Sequence, residues 1–300
     1  MWWGLPALLV LLVVYYVGGA VLLTRIDTDL AFRPSPVDLP PRGSVAVAMT
    51  SGLLDREVNR YGWKPNNPII YPTALMDNMP NFQKGILTTE RAFLIELRDH
   101  VGRLRGTGAT DQNLEDAFGA LSYPPDIWLI GDRFPFIGVS SESRYRDAIE
   151  ALREYNQRVA SGDALYERRV DNLYAAMNRL ALSLGNASAM LEREITDSSG
   201  GLLDTTADDV FYDVRGQAYA AHLILSGLNE DYADLIRQRQ LTNLWLAMME
   251  NLQLLVQIDP LIVSNSDPSG LIGANHLASQ GLYLQTVRQR MREITNVIQQ

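Results

Sequence analysis

Residues 2–24, WWGLPALLVLLVVYYVGGAVLLT, contain no charged side chain. As a helix rising about 1.5 Å per residue, the run reaches roughly 34 Å, enough to cross a bilayer core of about 30 Å. Trp2 and Trp3 suit the aromatic belt at one interface, and Arg25 closes the run at the other. A cleaved signal peptide would carry a basic leader and a shorter apolar core ending in small residues. Here no Lys or Arg precedes the run, and Gly18-Gly19-Ala20 is followed by Val21-Leu22-Leu23. The expectation is a single-pass anchor over residues 1–25, held in the lipid bilayer through residues 2–24. The Gly18-Gly19 pair would let another membrane helix approach closely, although glycine is common in membrane helices in any case.

Orientation is read from competing signals. Arg25, Arg33 and Arg42 follow the apolar run, which by the positive-inside rule puts the large domain in the cytoplasm. Asp27, Asp29 and Asp38 interleave with them, and the chain has no cysteine, which suits an oxidising compartment. The reading taken is a domain outside the membrane, in the periplasm. A net charge of −9 argues against nucleic acid as a partner.

Residues 26–43 form a Pro-rich linker, with RPSPVDLPPR at 33–42 stiffened by its prolines into a spacer. Residues 44–300 then make one helical soluble domain. Ser44-Val45-Ala46-Val47-Ala48 alternates and reads as a short strand or as packing. Residues 62–86 are dense in Pro and Asn without helical or strand period, an irregular arm pinned by Trp63, Tyr71 and Phe82. A helix follows from Thr88 or Thr89, with Leu94, Leu97, Val101 and Leu104 inward, ended by Gly106-Thr107-Gly108. A shorter helix covers 111–121, and 123–139 is a second irregular connection.

Another helix starts at Ser141 and stops at Gly162. The spacing of Tyr166, Val170, Leu173, Met177, Leu180 and Leu184 predicts a bundle seam, closed by Gly185. After a loop over 196–207, Asp208 caps a helix with Phe211, Val214, Ala218, Leu225 and Leu228 buried. A long helix is expected over 230–257 and a last one over 275–298. The fold class is mainly α: a transmembrane helix followed by a multi-helix, bundle-like domain with long irregular loops.

The search for chemistry excludes several classes. There is no GxxxxGK[ST], no GxGxxG and no GxSxG, and a chain without cysteine holds no thiol nucleophile. His100, His222 and His276 are scattered without metal-ligand spacing, so no metal and no cofactor is expected. Glu96 and His100, four apart on one helix, form a weak metal pair or an ordinary surface pair. Asp77, Glu142, Asp171, Asp208, Asp209 and Asp259 could supply the paired acids of a glycan hydrolase, which sequence alone cannot pair. The residues singled out for binding are Trp63, Asn66, Asp77, Asn78, Asn81, Asp171, Asn172, Asn275 and His276. The plainer reading of the asparagines is glue for irregular backbone.

Several stretches carry a resemblance: GWKPNNP at 62–68, PTALMDNMPNFQKGI at 72–86, RDHVGRLRGT at 98–107, YNQRVASGDALYERRVDNL at 155–173, GQAYA at 216–220 and NHLASQGLYL at 275–284. They resemble an uncharacterised family of proteobacterial single-pass inner-membrane proteins. That likeness implies an N-terminal anchor, an envelope setting and a helical domain, and brings no activity and no catalytic residues. The expectation is a non-catalytic binding, scaffold or accessory subunit of a membrane assembly, partnered by another membrane or periplasmic protein or by itself. The alternative is a cell-envelope hydrolase or lyase using paired carboxylates.

Overall fold

Helices account for the regular structure of this chain, with no strand among the described residues. The structure is a computed structural model that describes residues 4–19, 23–104, 110–129, 138–197, 205–260, 263 and 275–299. In chain order the helices are α1 (Gly4–Val13), α2 (Val45–Asp55), α3 (Asn78–Leu104), α4 (Gln112–Leu121), α5 (Ser141–Ser161), α6 (Val170–Asp197), α7 (Thr205–Asp231), α8 (Ala233–Gln238), α9 (Thr242–Val256) and α10 (His276–Gln299). π-helical turns extend α1 over Val14–Gly18 and α2 over Arg56–Arg60.

α7 is the central element, packed against α2, α3, α6, α9 and α10. Its buried residues include Phe211, Val214, Ala218, Tyr219, Ala221, Ile224, Leu225 and Leu228. These go all round the helix rather than along one stripe, the pattern of a helix enclosed by neighbours. Small residues set the closest approaches. Gly85 of α3 lies against the backbone of Asp213 and Gln217, and Gly216 of α7 against that of Phe82 and Ile86. Gly227 similarly lets α7 meet Ala46 of α2.

Several expectations are met. The helices expected over 111–121 and from Ser141 to Gly162 are α4 and α5, and the structure adds their caps, Asp111 accepting from Asn113 N (3.1 Å) and Ser140. Gly162 ends α5 at φ 88°, a conformation that glycine adopts without Cβ strain. Of the expected seam, Leu173, Met177, Leu180 and Leu184 are buried within the chain, where α6 meets α3, α7 and α10, whereas Val170 is only partly buried and Tyr166 precedes the helix.

Others are corrected. Residues 45–48 are helical, because Ser44 accepts from Val47 N and the carboxylate of Asp231 receives the amides of Val45 (3.0 Å) and Ala46 (3.1 Å). The arm takes a 3-10 turn over Pro72–Leu75, and α3 starts ten residues before Thr88, whose hydroxyl bonds the Lys84 carbonyl instead of capping. Tyr71 is exposed and pins nothing into the core, whereas Trp63 and Phe82 are buried. Gly185 lies inside α6, which runs on to Asp197, and faces the Arg288 guanidinium of α10. Asp208 sits in the first turn of α7 rather than at its cap. The expected helix over 230–257 is broken into α8 and α9, with Gln240 at φ 55° between them.

The segment at 26–43 is bound rather than free. Asp38 is buried, receiving Arg153 Nε (2.8 Å), while its carbonyl accepts from Asn156 Nδ2 (2.8 Å). Asn156 also bonds both backbone groups of Ser44. The proline-rich strand is therefore tied along the domain as a strap.

The apolar N-terminal run is described over residues 4–19 and from 23. Its helix leaves large side chains open on every side, from Leu8 through Val17, with Leu11 at 65%. Among the described residues no helix is long and apolar enough to cross a membrane. Trp2 and Trp3 lie outside the described residues, as does Gly106-Thr107-Gly108.

Candidate functional site

The beginnings of α3 and α7 come together and bring three candidate acids with them. Asp77 and Asn78 stand at the start of α3, Asn81 one turn on, and Asp208, Asp209 and Tyr212 in the first turns of α7. The Asn78 amide, with its nitrogen turned to the acids, donates to Asp208 (2.7 Å) and Asp77 (3.2 Å), and its oxygen accepts from the Tyr212 hydroxyl (3.3 Å). Asn81 Nδ2 donates to Asp209. Partial burial pushes the Asp208 carboxyl up to about 6, with the negative charges of Asp77 and Asp209 adding to it. Asp209 is raised for the same reasons, with Lys84 opposing. Raised to about 6, the Asp208 carboxyl can hold a proton at mildly acidic pH. Among the described residues no group of three or more His, Asp or Glu is arranged to hold a metal ion.

The remaining site candidates are dispersed. Trp63 Nε1 donates to the Pro125 carbonyl (2.7 Å), and its ring meets Tyr145 edge-on at 4.8 Å. Asn66 Nδ2 donates to the Ile127 carbonyl (3.1 Å). These two residues tie the arm to the connection before α5, which is the glue role. Asp171 is exposed and pairs with Arg169 (3.2 Å). Asn172 is buried, its amide donating to the Glu167 carbonyl. Asn275 caps α10 through Ala278 N (2.7 Å). His276 stands edge-on to Phe211 at 6.5 Å, so it approaches the same end of α7 as the acid cluster, and partial burial lowers its pKa. Gly18 has open space around it, whereas Gly19 lies against Pro72 of the arm.

Glu96, His100, Asn172, Tyr166 and Tyr232 line a cavity with about 30 Å³ of water-accessible space, room for about one water molecule. Glu96 pairs with Arg179 (3.5 Å) across α3 and α6.

Sequence reasoning missed a buried ionic cluster. Arg56 and Glu57, in the π-helical turn after α2, are both inside the protein. Arg56 donates twice to Glu57 Oε1 (3.0 and 2.8 Å), and to the Tyr219 hydroxyl (2.7 Å) and the Asp27 carbonyl (3.1 Å). Its guanidinium also lies over the rings of Phe32 and Tyr219, at 5.3 and 5.1 Å. Gln83 completes the group, donating to Glu57 Oε2 (3.1 Å) and accepting from Lys64 N (2.8 Å). Nearby, Glu90 is wholly buried, and neither carboxyl oxygen has a hydrogen-bond partner among the described residues. Burial pushes its pKa well above the usual range, and Glu57 adds to the shift. Adjacent opposite charges such as Arg56-Glu57 look like ordinary surface residues, so no local signal marks them.

A family model described as an uncharacterized protein conserved in bacteria (DUF2333) matches residues 37–201, more than half of the chain. The chain belongs to this family. The DUF2333 match begins within the strap and ends just past α6. It contains the stretches at 62–68, 72–86, 98–107 and 155–173, while those at 216–220 and 275–284 lie beyond it. No curated protein and no solved structure matches the chain.

Proposed function

We propose that this DUF2333 protein is anchored in the bacterial inner membrane by its apolar N-terminal run, with the helical domain on the periplasmic side. Its role there is to bind or scaffold another membrane or periplasmic component without catalysis. The observation that carries the anchor is the apolar helix itself. From Leu8 to Val14, and again at Val17, its large apolar side chains stay exposed, an arrangement unfavourable in water and natural in lipid. A partner would be met elsewhere than at the polar candidates. Trp63, Asn66, Asn81 and Asn172 spend their donors on internal partners that brace the fold.

Native mass spectrometry of the full-length protein, purified from its own membranes in mild detergent, tests this reading. A reproducible heavier species containing a second protein, or a defined self-assembly, is the expected result. A bare monomer, together with recovery of the protein in the carbonate-soluble fraction, would refute it.

A second reading, an envelope hydrolase or lyase, draws on the acid cluster. Asp208, raised to about 6, would donate a proton beside the acceptors Asp77 and Asp209. Turnover of envelope glycans that is lost in Asp208→Asn would establish it, and inert purified protein would exclude it.

A further inference from the structure

The arm carries an uncharged stretch, PNNPIIYPTALM over residues 65–76, whose tip is its most apolar and most exposed part. Ile69 is 73% exposed and Ile70 62%, with Tyr71 and Met76 also open. Isolated surface apolar residues need no explanation, but two adjacent isoleucines beside an exposed tyrosine form a protruding apolar point.

That point is fastened to the apolar helix. The Tyr15 hydroxyl donates to the Ile70 carbonyl (3.0 Å), and the Tyr16 hydroxyl to the Ile69 carbonyl (3.0 Å). One turn further along, Gly19 packs against Pro72, where any Cβ would collide with the proline ring. The tyrosines therefore set the arm's tip level with their own position on the helix.

We propose that the tip at 68–72 is a second membrane contact, with Ile69, Ile70 and Tyr71 entering the bilayer beside the anchor at the level of Tyr15 and Tyr16. The inference rests on the anchor reading. Irregular backbone is costly at membrane depth because its carbonyls lack water. At this tip the two outermost carbonyls are already satisfied by Tyr15 and Tyr16, and the same bonds satisfy two hydroxyls on an otherwise apolar helix. A tyrosine ring is apolar enough for that depth once its hydroxyl is bonded, as those of Tyr15 and Tyr16 are. The absence of charge from Pro65 to Met76 removes the usual obstacle to insertion. Two attachment points also restrict the tilt of the domain, which a single helix alone would leave free.

The chain has no cysteine, so single labels are clean. Full-length Leu11→Cys and Ile70→Cys variants, each carrying an environment-sensitive fluorophore, are reconstituted in phosphatidylethanolamine–phosphatidylglycerol vesicles. Each is then exposed to nitroxide-bearing lipids and separately to iodide. Both labels should lose most of their emission to nitroxide lipids and little to iodide. Lipid quenching at Leu11 with iodide quenching at Ile70 would overturn the second contact and leave the anchor standing. Iodide quenching at Leu11 would remove the anchor, and the inference with it.

Discussion

The crossing of α3 and α7 depends on two glycines, and Gly216→Ala tests that dependence with a sign that packing alone decides. In a helix interior the substitution is intrinsically favourable by roughly 0.8–1 kcal/mol. Against this, the new methyl would stand 2.9 Å from the Phe82 carbonyl carbon and 3.1 Å from Ile86 N, and closer still to the Phe82 oxygen. The obstacle is backbone, which cannot rotate aside, so the overpacking cost belongs at the upper end of the usual range of about 1–3 kcal/mol or beyond it. Opening the crossing by roughly 0.5–1 Å also forfeits a quarter to a half of the dispersion well for each contact along it. The net expectation is a loss of about 2–4 kcal/mol, or roughly 4–16 °C in Tm for a domain of this size. Urea unfolding of full-length protein in mild detergent, followed by circular dichroism, measures it. Gly85→Ala should behave alike, and the double variant should cost less than the sum, since one outward shift of α3 relieves both clashes. Gly119→Ala, in α4 with open space around it, should be neutral or slightly stabilising. Gly216→Ala at or above parental stability would refute the close-packed crossing.

Three further outcomes follow from buried charge. Glu90 has a raised folded pKa, so above the usual value of 4.5 the folded state holds a proton that the unfolded chain releases. Stability then falls with rising pH by about 1.4 kcal/mol per unit until the folded pKa is reached. Glu90→Gln should flatten that slope and be the more stable protein at pH 8; an unchanged slope would count against it. His222 shifts the other way, burial holding it at about 4 against an ordinary 6.5. Its contribution is present above pH 6.5 and is lost on acidification to pH 4, up to about 3 kcal/mol, and His222→Gln should remove that step from the pH–stability curve. Asp231→Ala should cost about 3 kcal/mol, because its carboxylate receives Ser44 Oγ, the amides of Val45 and Ala46 and the Tyr166 hydroxyl. Asp231→Asn should lose less in the same urea titration, and equal losses would argue against the capping role.

Legibility followed locality. α4 and α5 were readable because cap, apolar period and stop lie within a few residues of one another: Asp111 before Leu114 and Leu121, Ser140 before Tyr145, Ile149 and Leu152. The first nine residues of α3 were not, since Pro80 and two asparagines mask a face whose Met79, Phe82 and Ile86 are buried against neighbouring helices. Gly185 reads as a stop in isolation but is accommodated mid-helix beside Arg288, more than 100 positions away. At the candidate site Asp77, Asn78 and Asn81 were singled out, yet their meeting with Asp208 and Asp209 spans about 130 residues of chain and leaves no local trace.

Composition and periodicity by themselves determined the helical class, the uncharged N-terminal run, the absence of thiol and nucleotide-loop chemistry, and the faces of the amphipathic helices. Those properties depend on the residue types within one or two turns, where helix period and capping act. Tertiary structure decided which charges are buried, that the proline-rich strap is tied down through Asp38 and Asn156, and that the arm's apolar tip is fastened to Tyr15 and Tyr16. Each of these is a pairing between distant segments, and its energy arises only when α7 and its neighbours have already brought the partners within a few ångströms.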